Sequence, residues 1–360
     1  MRRLFISDCE GPISKNDNAF ETTAHYVPSG DKLFTVISRY DDLLADVLKR
    51  SGYKAGSTLK LVLPFLKAYD VTDQKMHEFS AKNLILISDV KNMLQHVRNI
   101  APAFIISTSY EHYIRALCHA LDFPFENTCC TRVSIDKYNM TEKEKTELKQ
   151  IAREIAQMPM FEIPPRAKSM KSLSEEVRRD VRRLDEVFWE RIIDMESGKI
   201  YREVSPVGGS EKAEAIKATV RQANATLADV MYVGDSITDE EAFKLVKGNG
   251  GLTLSFNGNG YAVRSAEIAV MSETSIVTEI IVEMFIKFGK EETLSIVENW
   301  SREALEKSSV TRTLLSRLFK KYPSKLPKAK IITHGNMEAL AKESSEFRGI
   351  VRGENIGRLG

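Results

Sequence analysis

Short apolar runs that end in polar or acidic residues recur along the chain. Leu4-Phe5-Ile6-Ser7 leads into Asp8-Cys9-Glu10-Gly11-Pro12, and Ala103-Phe104-Ile105-Ile106 leads into Ser107-Thr108-Ser109. Val230-Met231-Tyr232-Val233 leads into Gly234-Asp235-Ser236-Ile237-Thr238-Asp239. Leu252-Thr253-Leu254-Ser255-Phe256 and Ile268-Ala269-Val270-Met271 complete the set. Runs this short and this apolar predict buried strands of a parallel sheet, because both faces of such a sheet are covered. Between them the apolar period changes to that of a helix. Val90, Met93, Leu94 and Val97 share one face, as do Tyr113, Ala116, Leu117, Ala120 and Leu121, and as do Ala213, Ile216 and Val220. Strands alternating with helices predict an α/β doubly wound sheet.

Three interruptions set the domain organisation. Helical periodicity over 33–50 and 59–69 leaves the sheet after the first strand, which predicts a helical cap over 15–84. A second interruption, 140–194, carries two charged helical patterns around Pro159, Pro164 and Pro165, and predicts a helical hairpin near the mouth of any site. Residues 281–360 read as a helical C-terminal extension with a polar, flexible end. Its amphipathic faces at Ile280-Ile281-Met284-Phe285 and Leu314-Leu315-Leu318-Phe319 are offered to the core, to a second copy or to a complex partner. The core is then 1–14, 85–139 and 195–280.

In an open parallel sheet, residues just beyond the strand ends build the site. Asp8 and Asp235 stand there, and two converging carboxylates make a hard oxygen pocket suited to Mg²⁺ and a phosphate. Ser107 ends a strand with a helix start behind it, where a phosphate oxygen is readily held. Thr108 is either a second such contact or a turn cap. Lys212 lies near a helix start, where the macrodipole disfavours a cation unless an anion is close. Each alone has a plain structural explanation: caps for the aspartates, a solvated helix position for the lysine. Their order and spacing carry the chemistry.

Taken in order, Asp8, Ser107, Lys212 and Asp235/Asp239 resemble the four motifs of the haloacid dehalogenase-like phosphohydrolase superfamily. The similarity is strongest to its phosphoserine-phosphatase-like branch and covers residues 1 to about 280. The resemblance implies Asp8 as a nucleophile that forms an aspartyl-phosphate and Glu10 as the general acid/base. It implies Ser107 and Lys212 as phosphate contacts, and Mg²⁺ held by Asp8, Asp235 and the backbone carbonyl of Glu10. Asp239 would ligate the metal, directly or through water, or orient Lys212. Asp17 lies where that branch often places an acidic substrate contact; Lys15-Asn16-Asp17-Asn18 also reads as a solvated turn. Most of the superfamily has aspartate where this chain has Glu10, although an Asp-x-Glu-Gly version occurs in this branch.

The resemblance therefore implies a Mg²⁺-dependent phosphatase acting on a small phosphorylated metabolite, with phosphoserine the first to test. Transfer to a second alcohol would use the same residues. A further likeness, in motif and length, is to archaeal proteins of this superfamily assigned as subunit R of energy-converting hydrogenase A, and implies a non-catalytic role in a larger complex.

Composition narrows the rest. The 360 residues carry a net charge of +2, so no global field announces nucleic acid, and no apolar stretch is long enough to enter a membrane. The basic run Arg178, Arg179, Arg182 and Arg183 is interleaved with acids and reads as a solvated face. Four cysteines form no paired framework, and the six histidines lack zinc-type spacing. With an N-terminal apolar run far too short for a signal peptide, a cytoplasmic location is expected.

Overall fold

The computed structural model describes residues 3–51, 53–164 and 167–357; Pro165 lies outside them. Seven strands form one sheet: β1 (Leu4–Ser7), β2 (Ala103–Tyr110), β3 (Thr128–Thr131), β4 (Val230–Gly234), β5 (Leu252–Phe256), β6 (Ile268–Met271) and β7 (Lys328–Ile331). Their spatial order is β3-β2-β1-β4-β5-β6-β7, with every neighbouring pair parallel except the antiparallel β6–β7. The expected α/β doubly wound sheet is the fold observed.

Alternation along the central strands sorts their side chains to two faces. Phe5, Met231 and Val233 join a cluster with Val90, Met93 and Leu117, while Leu4, Ile6, Val230 and Tyr232 join one with Ile216, Val220 and Phe243. The chain leaves β1 in one direction across the sheet and returns to β4 in the other, so the ends of β1, β2 and β4 meet at the reversal. Register then fixes the site. Ser7 is level with Val233 on one side and with Ile105 on the other, so Asp8, Ser107 and Asp235 all emerge within two residues of the same level.

The interruption expected over 140–194 differs from a separate hairpin. Helices Glu142–Gln157 and Glu175–Glu186 pack with helices Gly30–Asp42 and Thr58–Ala68 around one apolar cluster. That cluster extends past both expected bounds, from Val133 and Ile135 to Tyr201 and Val204. The charged helices each have one apolar stripe, and the cap helices supply the complementary one. Phe188 sits at the centre, fully buried between Tyr40, Phe65 and Tyr201. The cap and the second interruption are one folded body.

The 281–360 segment also departs from expectation, because it is not wholly helical. Residues Lys328–Ile331 add β7 to the sheet, with Ala329 opposite Val270. Four residues of which only Ala329 is buried give no strand signal, and alternating lysines are the usual protection of a sheet edge. Nor is the described end loose. Helix Met337–Arg352 lays Leu340 and Ala341 on Val263, Ala269 and Met271, and Ser344 donates to the Gly258 carbonyl at 2.6 Å.

The shared cap core makes a specific prediction. With Trp300→Phe, Trp189 becomes the sole tryptophan and reports on the cap. In that background Phe188→Ala should destabilise the cap by about 3–5 kcal/mol, the range for deleting a buried aromatic. The check is denaturant unfolding followed by Trp189 fluorescence; an unchanged midpoint would contradict a common core.

Candidate functional site

Asp8 continues from β1, and its N–H donates to the Val233 carbonyl at 2.7 Å, which ties the loop to β4. One carboxylate oxygen accepts the Cys9 N–H at 2.7 Å; the other meets Lys212 Nζ at 2.7 Å. Lys212, fully buried, reaches in from helix Ser210–Gln222 and meets Asp239 at 2.7 Å as well. Burial works against its charge, but Asp239 and Asp8 together outweigh that and hold its pKa above the usual lysine value. The sequence anomaly of a cation near a helix start is thereby explained: its charge is drawn to two carboxylates.

Asp239 is engaged on all sides. Oδ1 accepts from Lys212 and from the Tyr232 hydroxyl at 2.6 Å, and Oδ2 accepts the N–H groups of Asp235 and Ser236 at 2.9 and 3.0 Å. Of the roles left open for Asp239, orienting Lys212 is the one this geometry favours. Asp235 is 1 % exposed and approaches the first loop so closely that a Cβ on Gly11 would lie 2.2 Å from its carboxylate. Gly11 also has φ +100°, so a side chain there is excluded twice over.

Glu10 accepts the Asn18 N–H at 2.7 Å. Burial, reinforced by Asp17, pushes its pKa up to about 8, while Asp8 is pushed up to about 6 by burial, against the pull of Lys212. Asp17 is the N-cap of helix Asn18–Tyr26, accepting the Phe20 N–H at 3.0 Å, and it also faces the cavity. It serves as the cap and remains placed for a substrate contact. Ser107 is buried beside Ser109 at 3.2 Å, and the buried hydroxyl oxygen of Thr108 has no hydrogen-bond partner among the described residues. An orphaned hydroxyl at the end of β2 is the kind of group a phosphoryl oxygen would satisfy.

These groups surround a cavity of about 100 Å³. Asp8, Glu10, Ser107, Thr108 and Asp235 line it from the core, with Asp17, Phe34, Ser38, Asp41, Asp42, Gly56 and Thr58 from the cap. Lys212 stands behind Asp8. Pockets for drug-sized ligands are ~300–1,000 Å³, so this one suits a small polar group between core and cap. Closure is tight where the cap loop meets the core: a Cβ on Gly208 would lie 2.5 Å from the Ala55 carbonyl oxygen. Asp41 fixes that loop by accepting from Gly56 N–H, Thr58 N–H and the Thr58 hydroxyl at 2.8–3.1 Å.

Asp8, Asp235 and Asp239 offer carboxylate oxygens that all lie within 4.8 Å of one another. Hard oxygen donors at this spacing fit Mg²⁺. Of the three, Asp8 and Asp235 line the cavity and Asp239 does not, so that pair is the one placed towards an ion there.

Two residues at the site escaped the sequence reading. Arg348 and Arg352, from helix Met337–Arg352, both place Nη1 on Asp235 Oδ2, Arg352 at 3.0 Å. Arg352 also donates to the carbonyls of Lys15 and Asn16, the former at 3.0 Å. Their spacing of four, on the helix face that carries Leu340, Ala341 and Ser344, was the available signal.

Neither models of protein families nor curated proteins give a match to this chain. Among solved structures, the gene product AF1437 from Archaeoglobus fulgidus matches with a TM-score of 0.79 and 25 % identity, covering 100 % of this chain and 99 % of that one. That likeness spans the core, the cap and the C-terminal segment. Phosphoserine phosphatase in its apo form aligns with a TM-score of 0.43 at 12 % identity over 81 % of this chain and 100 % of that chain. A phospho-aspartyl intermediate analogue of phosphoserine phosphatase aligns with a TM-score of 0.44 at 11 % identity over 80 % and 99 %. Superpositions that loose add nothing to the site geometry described above. None of these matches supports the hydrogenase-subunit likeness. No helix among the described residues is long and apolar enough to cross a membrane.

The cap wall yields a pH prediction. Asp42 is buried, 3.9 Å from Arg39, and burial, with Asp41 adding, pushes its pKa from 3.8 up to about 7. A raised folded-state pKa means the folded protein holds the proton longer than the unfolded chain does. The stability this contributes is full below about pH 4 and is lost as pH rises towards about 7. Asp42→Asn should therefore gain thermal stability relative to the parent between about pH 4 and about pH 8. Melting curves across that range would check it, and a pH-independent difference would contradict the assignment.

Proposed function

We propose that the protein is a Mg²⁺-dependent phosphatase that hydrolyses a small phosphomonoester through a phosphorylated Asp8. One observation carries this reading: Asp8 and Asp235, just past β1 and β4, meet Ser107 of β2 and Lys212 beside one cavity. Glu10, two residues from the nucleophile, is held as a protonated acid near neutral pH, the state needed to donate to a leaving oxygen.

The steps follow from these groups. A carboxylate oxygen of Asp8 attacks phosphorus, the ester P–O bond breaks, and its electron pair leaves on the alcohol oxygen, which takes the Glu10 proton. Glu10, now a carboxylate, removes a proton from water as the water oxygen attacks phosphorus. The bond to Asp8 then breaks, restoring its carboxylate and releasing inorganic phosphate. Lys212 neutralises charge on Asp8 and on the transferring group throughout, and Ser107 and Thr108 hold phosphoryl oxygens. Asp239 acts through Lys212 by fixing its position. Asp8 and Asp235, with the Glu10 carbonyl, would hold Mg²⁺, which supplies Lewis-acid stabilisation of phosphoryl charge. Splitting the reaction into two displacements lowers each barrier.

A second reading has its own observation. Two guanidiniums on Asp235 give that carboxylate a counter-charge without a metal, as a non-catalytic subunit of the same fold would have. Activity separates the two. The purified chain should hydrolyse at least one member of a panel of metabolite phosphates, phosphoserine first, with Mg²⁺ and not with EDTA. Asp8→Asn should abolish turnover, and Glu10→Gln should slow it ~10²–10⁴-fold while Glu10→Asp retains more. Turnover by Asp8→Asn equal to the parent would overturn the mechanism, and no turnover of any ester would leave the non-catalytic reading.

A further inference from the structure

Asp235 is the carboxylate on which a divalent cation would depend most, yet its Oδ2 already receives two guanidinium groups. Arg348 and Arg352 are 3 % and 9 % exposed, so both charges are buried with it. Arg348 Nη1 also reaches the Asp235 carbonyl at 3.2 Å, and Arg352 spans from Asp235 to the Lys15 and Asn16 carbonyls just past the Asp8–Glu10 loop. Both come from a single helix 113 and 117 residues further along the chain. They are not needed to hold the sheet, which is complete without them. Their common target is the Asp235 carboxylate and the loop beside it.

We propose that helix Met337–Arg352 is a tethered counter-cation that closes the site and competes with a divalent metal for Asp235. This rests on the phosphatase reading, in which Asp235 is a metal ligand. Two guanidiniums and a divalent cation cannot share one buried carboxylate oxygen, since like charges so close in a poorly solvated site repel strongly. Binding the metal through Oδ2 therefore requires the arginines to withdraw from that oxygen.

Other contacts also hold the helix, so losing the arginine contacts loosens it without detaching it. Its apolar seat is Leu340 and Ala341, which share a cluster with Val263, Ala269 and Met271, with Phe347 against it and Val351 in the main core cluster. Its clamp to the neighbouring helix, Arg264 with Glu338 at 2.8–2.9 Å, is exposed and contributes little. Behind it, Gly353 has φ +86°, a conformation that ends the helix at Arg352. The pair of arginines on Asp235 is thus the buried charged contact of the docked state. The ion that would displace them is the one the site needs.

Competition lowers apparent metal affinity by the fraction of molecules that are open. Calorimetric titration of the full chain with Mg²⁺ should therefore show about tenfold or greater tightening in Arg348→Met/Arg352→Met over the parent. In the parent, Mg²⁺ should raise amide hydrogen exchange across residues 337–352 and leave the cap helices unchanged. If the double variant does not fold, the exchange experiment on the parent and the single variant Arg352→Gln decide the matter. Equal or weaker Mg²⁺ binding in the variant, with no Mg²⁺-induced exchange in 337–352, would overturn the competition and leave the phosphatase reading standing. Failure of Mg²⁺ to bind either protein would overturn both.

Discussion

A fully buried ammonium between two carboxylates is the interaction on which the site is built. Lys212 is withdrawn from water and can remain charged there because Asp8 and Asp239 each meet it at 2.7 Å. Removing one member of such a group usually costs about 3–5 kcal/mol, because the remaining charges are left buried and unpaired. Three parts of the chain are fixed together by this one contact: the loop after β1, the helix Ser210–Gln222 and the turn after β4. The same contact divides the acidic residues by role. Asp239 has every oxygen committed and positions the lysine, whereas Asp8 also lines the cavity, as the proposed nucleophile must.

Charge balance ties the rest of the molecule to that centre. Asp8, Glu10, Asp17, Asp235 and Asp239 crowd into one region, and Lys212 alone does not offset them. Protonation of Glu10, favoured by burial, removes part of the excess, and Arg348 and Arg352 neutralise Asp235. The C-terminal segment is in this sense part of the site although it lies outside the strands that form it. The whole-length match to AF1437 covers that segment too, so the architecture extends beyond a minimal sheet and cap.

The central sheet was legible because buried parallel strands leave continuous apolar runs, and residues just past them fall at the site by register. Asp8 and Asp235 were found that way; Ser107 was expected to end its strand, but β2 runs on to Tyr110. Tyr232 was not, because within Val230-Met231-Tyr232-Val233 it reads as one more apolar residue, while its hydroxyl on Asp239 depends on a turn seven residues on. The cap was legible as helices but not as one body with 140–194, since amphipathic stripes do not say which stripe they meet. β7 was hidden by its length and its edge lysines. Arg348 and Arg352 were hidden by distance: the contact from Arg352 to the Asn16 carbonyl spans 336 residues, and no local pattern announces it.

The account turns on Asp8 carrying the phosphoryl group. Rapid quenching of the chain with Mg²⁺ and a turned-over phosphomonoester, followed by borohydride reduction and peptide mass spectrometry, tests this directly. An aspartyl-phosphate at position 8 is reduced to homoserine, so the account predicts homoserine at that residue and at no other carboxylate. Turnover with an unmodified Asp8 peptide, or reduction at another aspartate, would contradict it.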